Sequence, residues 1–364
     1  MRKEVKLGDI CNILNGYAFK SKEYVEDGIR VIRITNVQKG NIEDNDPKYY
    51  DTSKIKELKN YMLKENDLLI SLTGNVGRVG LLPKKLLPAG LNQRVGCLRI
   101  KDEKNVSIEY LYQYFNSYNF ERDCINNSKG IAQKNLSTEW LKNYKVSIPN
   151  LDEQNRIVNE LKKIQKLKKL KEQQLKELNQ LIKSQFVEMF GNIHFNDKKW
   201  NKNKWRDVLI IKNGKNQKKV ESFNGKYPIY GSGGIIGFAN DYICNENSII
   251  IGRKGSINKP ILVKTKFWNV DTAFGLEPIK EKIKADYLYY FCCFYNFEKH
   301  NKAVTIPSLT KKDLLNIEIS VPPITLQNQF AEIVKQIDKQ KFEIEKSLKE
   351  TQELYESLME KYFG

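Results

Sequence analysis

The amino-acid sequence predicts an α+β fold that is built twice, with two similar domains separated by two long helices. Three observations predict it: the chain contains a long internal repeat, each copy ends in a heptad-patterned segment, and each copy begins with short apolar runs punctuated by glycine. We therefore expect an internal pseudo-two-fold repeat in which the two long helices pair as an antiparallel coiled coil.

The internal repeat is clearest at the end of each half. The stretch "LIKSQFVEMFG" occupies residues 181–191, and "LYESLMEKYFG" occupies residues 354–364. An offset of 173 residues, without a gap, gives 16 identities over the 45 positions that begin at Ser147 and Ser320. The repeats of a solenoid are only about 20 to 50 residues long. Each copy is therefore expected to be a domain-sized unit.

Both repeated tails have the pattern of a long amphipathic helix that begins shortly after a proline, Pro149 or Pro322. The heptad stripes consist of Ile157, Leu161, Ile164, Leu175, Leu178, Ile182 and Met189, and of Phe330, Val334, Ile337, Ile344, Leu348, Tyr355, Leu358 and Tyr362. Lys168 and Lys341 interrupt them. At 1.5 Å per residue each helix is about 60 Å long. An unpaired stripe would face water, which favours pairing of the two helices; the alternative is that each packs on its own domain.

The regions before the tails predict strands followed by a helix. Apolar runs such as "NDLLISLTGNVGRVGLL" and "NSIIIGRKGS" are bounded by glycine and asparagine, and "IEYLYQYFNSYNF" and "ADYLYYFCCFYNF" have helical composition. The predicted boundaries are a first domain at 1–149, a central helix at 150–191, a second domain at 192–322 and a C-terminal helix at 323–364.

Composition and charge point to a polyanionic partner. The net charge is +18, and the two repeated tails account for only +1 of it, so the excess lies on the two diverged regions. This distribution favours nucleic acid over a lysine-rich solvated surface. The apolar runs are shorter than the ~18 residues of a membrane span, and no apolar signal core follows the N-terminus, which predicts a cytoplasmic protein without membrane contact.

The local motifs of catalysis and metal binding are missing from the sequence. The six cysteines have no CxxC spacing, there are two histidines, and neither a GxxxxGK[ST] loop nor a Ser-His-Asp set is found. We therefore predict no catalytic residue, no metal site and no cofactor bound by this chain.

Polar and basic loop residues between the strands are the candidates for reading base edges or phosphates of a nucleic acid. Arginine pairs with guanine, and asparagine or glutamine pairs with adenine. The candidates in the first domain are Thr35, Asn36, Thr73, Asn75, Arg78, Asn92, Gln93 and Arg94, and those in the second are Ser232, Arg253, Lys254, Ser256, Asn269, Asp271 and Thr272. Each alone is typical of an ordinary loop; their clustering carries the prediction.

The organisation resembles the specificity subunit of type I restriction-modification enzymes. The resemblance spans essentially the whole chain and rests on the duplicated domain-plus-helix plan and on motifs in order: "SLTGNVGRVG", "LNQRVGCLRI", "KSQFVEMFG", "YPIYGSGGIIG", "IIIGRKGSIN" and "WNVDTAFGL". It implies that each diverged region is a target-recognition domain for one half of a bipartite double-stranded DNA site.

The resemblance also implies partners. Two modification subunits would hold S-adenosylmethionine and methylate adenine, and restriction subunits would join them. The loops Thr73–Arg78, Asn92–Arg94, Ser232–Gly234 and Arg253–Ser256 would recognise DNA, while Leu151–Gly191 and Ile324–Gly364 would serve spacing and assembly. Two alternatives remain: the DNA-recognition subunit of a stand-alone methyltransferase complex without a translocating restriction subunit, or a non-specific RNA-binding or scaffold protein.

Overall fold

The structure, a computed structural model, describes residues 2–130, 134–301, 303 and 305–364. The chain divides into two compact units, which we call unit 1 and unit 2. Unit 1 contains Met1–Leu170 and Leu348–Gly364, and unit 2 contains Lys171–Ser347. Each unit therefore includes one part of each predicted long helix. The boundaries expected from the sequence instead assigned each helix to a segment of its own.

Unit 1 combines short strands with helices. Its strands are β1 (Lys3–Lys6), β2 (Cys11–Asn15), β3 (Ile29–Ile32), β4 (Val37–Gln38), β5 (Asn41–Ile42), β6 (Tyr49–Tyr50), β7 (Leu68–Ser71), β8 (Val79–Leu81), β9 (Ala89–Leu91), β10 (Val95–Ile100) and β11 (Lys145–Ile148). Its helices are α1 (Leu7–Ile10), α2 (Ile108–Phe115), α3 (Tyr118–Asn126) and α4 (Thr138–Asn143), followed by the first residues of α5 (Leu151–Phe190). The four-stranded sheet has the order β2-β10-β7-β8, and a second sheet has the order β6-β3-β9.

Unit 2 repeats this plan. Its strands are β12 (Asn201–Lys204), β13 (Leu209–Asn213), β14 (Tyr227–Gly231), β15 (Gly234–Ala239), β16 (Ser248–Gly252), β17 (Ile261–Val263), β18 (Trp268–Asn269), β19 (Ala273–Pro278) and β20 (Glu318–Val321). Its helices are α6 (Trp205–Val208), α7 (Ala285–Phe294) and α8 (Lys311–Leu314), followed by α9 (Ile324–Phe363), which ends in unit 1. The sheet orders are β13-β19-β16-β17 and β15-β14-β18.

The two units share one topology. In each four-stranded sheet the second strand in the order is the last along the chain, and in each three-stranded sheet the middle strand pairs antiparallel on one side and parallel on the other. In each unit the first strand along the chain also pairs antiparallel with the last: β1 pairs with β11, and β12 pairs with β20. The prediction of a duplicated α+β fold is confirmed.

The central strands form because they are apolar along their whole length. β7 reads "LLIS" and β16 reads "SIIIG", and every residue of both is buried. Strands covered on both faces have such continuous apolar runs, whereas one-sided strands alternate. Each unit has its own large core, and each core also contains residues of α5 and α9. Both long helices therefore contribute to each core, so neither helix packs only on the domain that precedes it.

The two long helices run antiparallel where they meet in unit 1. The Tyr362 hydroxyl donates to Glu160 Oε2 over 2.7 Å, and Lys168 Nζ donates to Gln352 Oε1, also over 2.7 Å. From Glu160 to Lys168 the residue number rises along α5, while the partner on α9 changes from Tyr362 to Gln352, so its number falls. Lys168, which interrupts the first stripe, is half-buried and satisfies its ammonium group on the neighbouring helix.

Unit 2 shows the same antiparallel arrangement. Lys171 Nζ bonds the Ser347 hydroxyl near one end of the paired segments, and the Phe186 and Phe330 rings lie 5.5 Å apart near the other. Phe186 and Phe330 are fully buried. The predicted helix pairing is therefore present in each unit, although the sequence stripe left out Phe186. In the part of the chain that the structure describes, no helix is long and apolar enough to cross a membrane.

A buried glutamine joins the start of α5 to the core of unit 1. Gln154 has no exposed surface; its Oε1 accepts from Ser107 N over 2.8 Å. Its Nε2 donates to Asn105 O and Pro149 O, both over 2.9 Å. The side-chain amide thus holds the residues before α2 against the first turn of α5.

Gln327 makes the same set of bonds in unit 2. It accepts from Lys284 N at 2.8 Å and donates to Lys282 O at 3.2 Å and Pro322 O at 2.8 Å. Replacement by alanine leaves a backbone N–H and two carbonyls without this partner, so we expect Gln327→Ala to destabilise unit 2 by about 2 to 4 kcal/mol. Urea unfolding measures the loss. Gln340→Ala, at an exposed position of the same helix, is the matched control and should change the free energy of unfolding by less than about 0.5 kcal/mol.

Candidate nucleic-acid interface

Three loops of unit 1 meet at one end of its sheets. We call residues 33–38, 72–78 and 92–94 cluster 1; they follow the C-terminal ends of β3, β7 and β9. Leu72 N donates to Arg94 O over 3.0 Å, and Asn92 N donates to Ile32 O over 3.2 Å. The strand pairing makes this convergence necessary, because β3 is parallel to β9 and the end of β7 is opposite the start of β10.

A side-chain bond joins the first two loops of cluster 1. Arg78 Nη1 donates to Gln38 Oε1 over 2.5 Å, and Gln38 Nε2 donates to Thr35 O over 2.9 Å. The guanidinium of Arg78 is therefore partly committed to a neighbouring loop. Arg94 accepts the Leu72 N–H through its backbone carbonyl, and its side chain is exposed. Arg94 is therefore better placed than Arg78 to contact a ligand.

Unit 2 forms the equivalent cluster at the same end of its sheets. Cluster 2 consists of residues 231–234, at the turn between β14 and β15, and of residues 253–256 and 270–272, which follow β16 and β18. Arg253 N donates to Thr272 O over 2.8 Å, and Val270 N donates to Tyr230 O over 3.0 Å. A Cβ at Gly255 would lie 3.9 Å from Ser232 Oγ, which places the turn at Gly255 beside the Ser232 loop.

The backbone bonds match position by position between the clusters. Ser71 pairs with Val95 in unit 1, and Gly252 pairs with Ala273 in unit 2. The next residue along each strand end bonds the loop before the paired strand: Leu72 to Arg94, and Arg253 to Thr272. The main chain is therefore alike while the side chains differ, with apolar Leu72 replaced by Arg253 and basic Arg94 replaced by Thr272.

Each cluster has a glycine turn with a left-handed backbone at the same place. Gly74 has φ +71° and Gly255 has φ +81°. A side chain at this φ would be strained, and glycine also lets another molecule approach the backbone closely. A Cβ at either position would have no heavy atom nearer than 3.9 Å. The turns are thus open, which suits close contact with a DNA backbone or base edge.

Many of the predicted DNA-binding residues lie at the surface of these clusters. Thr35, Asn75, Gln93, Arg94, Arg253, Lys254 and Asp271 are exposed, and Thr73, Arg78, Ser232, Ser256 and Thr272 are half-buried. The Arg253 guanidinium lies 5.7 Å from the centre of the Phe274 ring, a cation–π distance that restricts the side chain without covering it.

Three predicted contact residues have structural positions instead. Asn36, Asn92 and Asn269 are 3%, 7% and 0% exposed. Asn36 Nδ2 donates to Glu43 O over 2.8 Å, Asn92 Oδ1 accepts from Arg94 N over 3.2 Å, and Asn269 Nδ2 donates to Ala273 O over 3.0 Å. Their amides stabilise the loops from inside, so we assign these three to loop geometry rather than to base contact.

The thiols of two buried cysteines, one in each unit, are held in their neutral form. Burial raises the pKa of the Cys11 and Cys244 thiols to about 12. A protonated thiol is a poor nucleophile, because the thiolate is the reactive form. Among the described residues, no group of three or more His, Cys, Asp or Glu side chains is arranged to hold a metal ion.

Sequence reasoning left out two parts of these surfaces. One is the pair of segments 134–136 and 307–309, which bond to the glycine turns; the offset of 173 relates the two segments to each other but does not indicate their bonds to the turns. The other is the exposed apolar side chains of the β14–β15 hairpin in unit 2, Ile235, Ile236 and Phe238. Polarity alone could not have indicated these.

Two equivalent α+β units, each with polar and basic loops gathered at one end of its sheets, define a protein with two recognition modules. The chain belongs to the family described as "Type I restriction modification DNA specificity domain", whose model matches residues 2–180 and 197–354. The two matched regions correspond to the two copies of the repeat.

Two curated relatives are similar over part of the chain. The type I restriction enzyme EcoAI specificity subunit of Escherichia coli is 34% identical over 161 residues, which are 43% of this chain and 27% of that protein. The type I restriction enzyme MjaVIII specificity subunit of Methanocaldococcus jannaschii is 29% identical over 164 residues, 44% of this chain and 38% of that protein. The alignments thus cover well under half the length of these two relatives.

Solved structures are similar over the whole chain. A type I restriction-modification system S subunit from M. genitalium has a TM-score of 0.64 at 16% identity and covers 100% of this chain and 96% of its own. A chain from a study of complex assembly and conformational transition of the type I R-M system has a TM-score of 0.61 at 17% identity, with 100% and 97% covered. At such identities the likeness establishes the shared fold.

Proposed function

We propose that this chain is the DNA-recognition subunit of a type I restriction-modification complex and reads a bipartite double-stranded site. Cluster 1 would read one half-site and cluster 2 the other. The observation that carries the proposal is that the clusters keep one backbone arrangement and present different side chains, as at exposed Arg94 and half-buried Thr272. Two modules with equal frames and unequal surfaces suit two different half-sites.

The chemistry would be divided between this chain and its partners. We propose that two modification subunits bind S-adenosylmethionine and methylate adenine, that restriction subunits cleave, and that this chain supplies recognition without catalysis of its own. The chain would act in the cytoplasm, where it meets the host DNA. The helices α5 and α9 have exposed side chains, including Leu181, Val187 and Leu354, that could form part of the docking surface for the modification subunits.

Salt dependence tests whether the excess charge serves DNA binding. Neutralising phosphates releases counterions, so log affinity should fall against log salt with a slope of about 0.9 per phosphate contact. With six to ten contacts, affinity for duplex DNA should drop about 10³- to 10⁵-fold between 50 and 200 mM salt. Filter binding with duplex DNA, single-stranded RNA and a heteropolymer competitor measures it. A slope near zero contradicts the proposal, and equal binding of RNA supports a non-specific RNA-binding protein.

The exposed arginines of the two clusters should each determine one base. If Arg94 or Arg253 binds guanine with two hydrogen bonds, replacement by alanine should relax the choice at one position and cost about 1 to 3 kcal/mol there. Competition between duplexes that differ at single positions measures it. Arg206→Ala, an exposed arginine of α6 at the other end of the unit 2 sheet, is the control. Uniform weakening for every sequence would instead indicate a phosphate contact.

A further inference from the structure

A segment far along the chain completes the glycine turn of cluster 1. Gly74 N donates to Lys134 O, and Leu136 N donates to Leu72 O, both over 2.8 Å. Thr73 and Asn135 also form a β-bridge. The three residues Lys134–Leu136 therefore lie along the strand end that forms the turn, although about 60 residues separate them from it in sequence.

Unit 2 repeats this contact bond by bond. Gly255 N donates to Pro307 O over 3.0 Å, and Leu309 N donates to Arg253 O over 2.9 Å. Lys254 and Ser308 form the corresponding β-bridge. We call residues 134–136 and 307–309 the closing segments of cluster 1 and cluster 2.

The closing segments share their anchor and differ in their outward residues. Leu136 is 5% exposed and Leu309 is 2% exposed, and each belongs to the core of its unit. One residue earlier, Asn135 is exposed and Ser308 is half-buried. A fixed apolar anchor thus holds a variable polar residue beside each open glycine turn.

We propose that Asn135 and Ser308 are specificity-determining residues, each for one base position in the half-site of its own cluster. The inference rests on the proposed function. The side-chain amide of asparagine can bond adenine twice, accepting through Oδ1 and donating through Nδ2, whereas serine bonds a single donor or acceptor on several bases. The position is set by backbone bonds that both units keep, so it is equivalent in the two half-sites while the chemistry there is not.

Exchanging the two residues between the units tests the proposal. Asn135→Ser places in unit 1 the residue that unit 2 has at the same point, and Ser308→Asn does the reverse. Neither change removes the backbone bonds of the closing segments. Asn12→Ser, exposed on β2 opposite Arg99 and hence at the other end of the sheet, is the matched control. Thermal melting of all three full-length variants checks that they fold.

The measurement is selection of the full-length protein on random duplex DNA, followed by sequencing. Asn135→Ser should change base preference about tenfold or more at one position of one half-site, and Ser308→Asn should do so at one position of the other half-site. Asn12→Ser should keep the original motif. Unchanged motifs in both exchange variants, or loss of affinity that is equal for all sequences, overturn the inference. Failure of the unsubstituted protein to enrich any motif would instead overturn the proposed function.

Discussion

Replacing residues 195–320 by the same region of another family member is expected to change one half of the recognised DNA site and leave the other half intact. The region contains cluster 2 and none of cluster 1. The core around α7 is formed by residues of unit 2, and the core around α2 and α3 by residues of unit 1. Repacking one core therefore leaves the frame of the other cluster in place.

The design of the exchange follows from the packing. Phe186, Phe190 and Phe330 of the long helices pack on Tyr287 or on one another in unit 2, so the donor region should have a tyrosine at the position of Tyr287. Exchange of residues 1–146 is the reciprocal control and should change only the other half-site. If either exchange altered both half-sites, the two units would not read independently.

Lengthening both long helices together is expected to increase the number of unread base pairs between the half-sites. Seven residues inserted after Leu170 and seven after Ser347 add about 10 Å to each helix at 1.5 Å per residue. At 3.4 Å per base pair this corresponds to about three base pairs. Both insertions fall at the boundary between the units, and a full heptad preserves the apolar stripe.

The insertion points keep the paired helices in register. Lys168 bonds Gln352 on one side of the insertions, and Lys171 bonds Ser347 on the other; both pairs remain opposite each other when the two helices grow equally. Insertion into α5 alone means that the two hydrogen-bonded pairs can no longer both form in register, and it should abolish activity. Four-residue insertions in both helices add about 6 Å each and shift the stripe, so they should retain less activity. If an active variant with both seven-residue insertions kept the original number of unread base pairs, the helices would not set that distance. Their role would then be only to dock partner subunits.

The large features of the fold follow from patterns that the chain repeats. The helices begin at Leu151 and Ile324, one residue after the predicted boundaries at 150 and 323, because Pro149 and Pro322 disfavour helix just before them. The stripe residues face inward because heptad spacing places them on one side. The apolar runs of β7 and β16 likewise predict strands, because strands covered on both faces are apolar along their whole length.

The direction of short polar side chains could not be predicted. Asn36 and Asn92 follow strands as exposed Asn75 does, and Asn269 is the last residue of β18; only the strand pairing decides which of these amides turn inward. The closing segments depend on bonds between residues about 50 to 60 positions apart, such as Gly74 with Lys134. Local sequence contains no sign of such bonds, although the 173-residue repeat relates the two segments to each other.

The most direct test of two half-sites read by two units is single-molecule sequencing of host DNA with and without this gene. We expect an adenine-methylated motif that appears only when the gene is present and has two specified halves with an unread spacer of fixed length. A gene-dependent motif that is contiguous, or the absence of any gene-dependent motif, would contradict it.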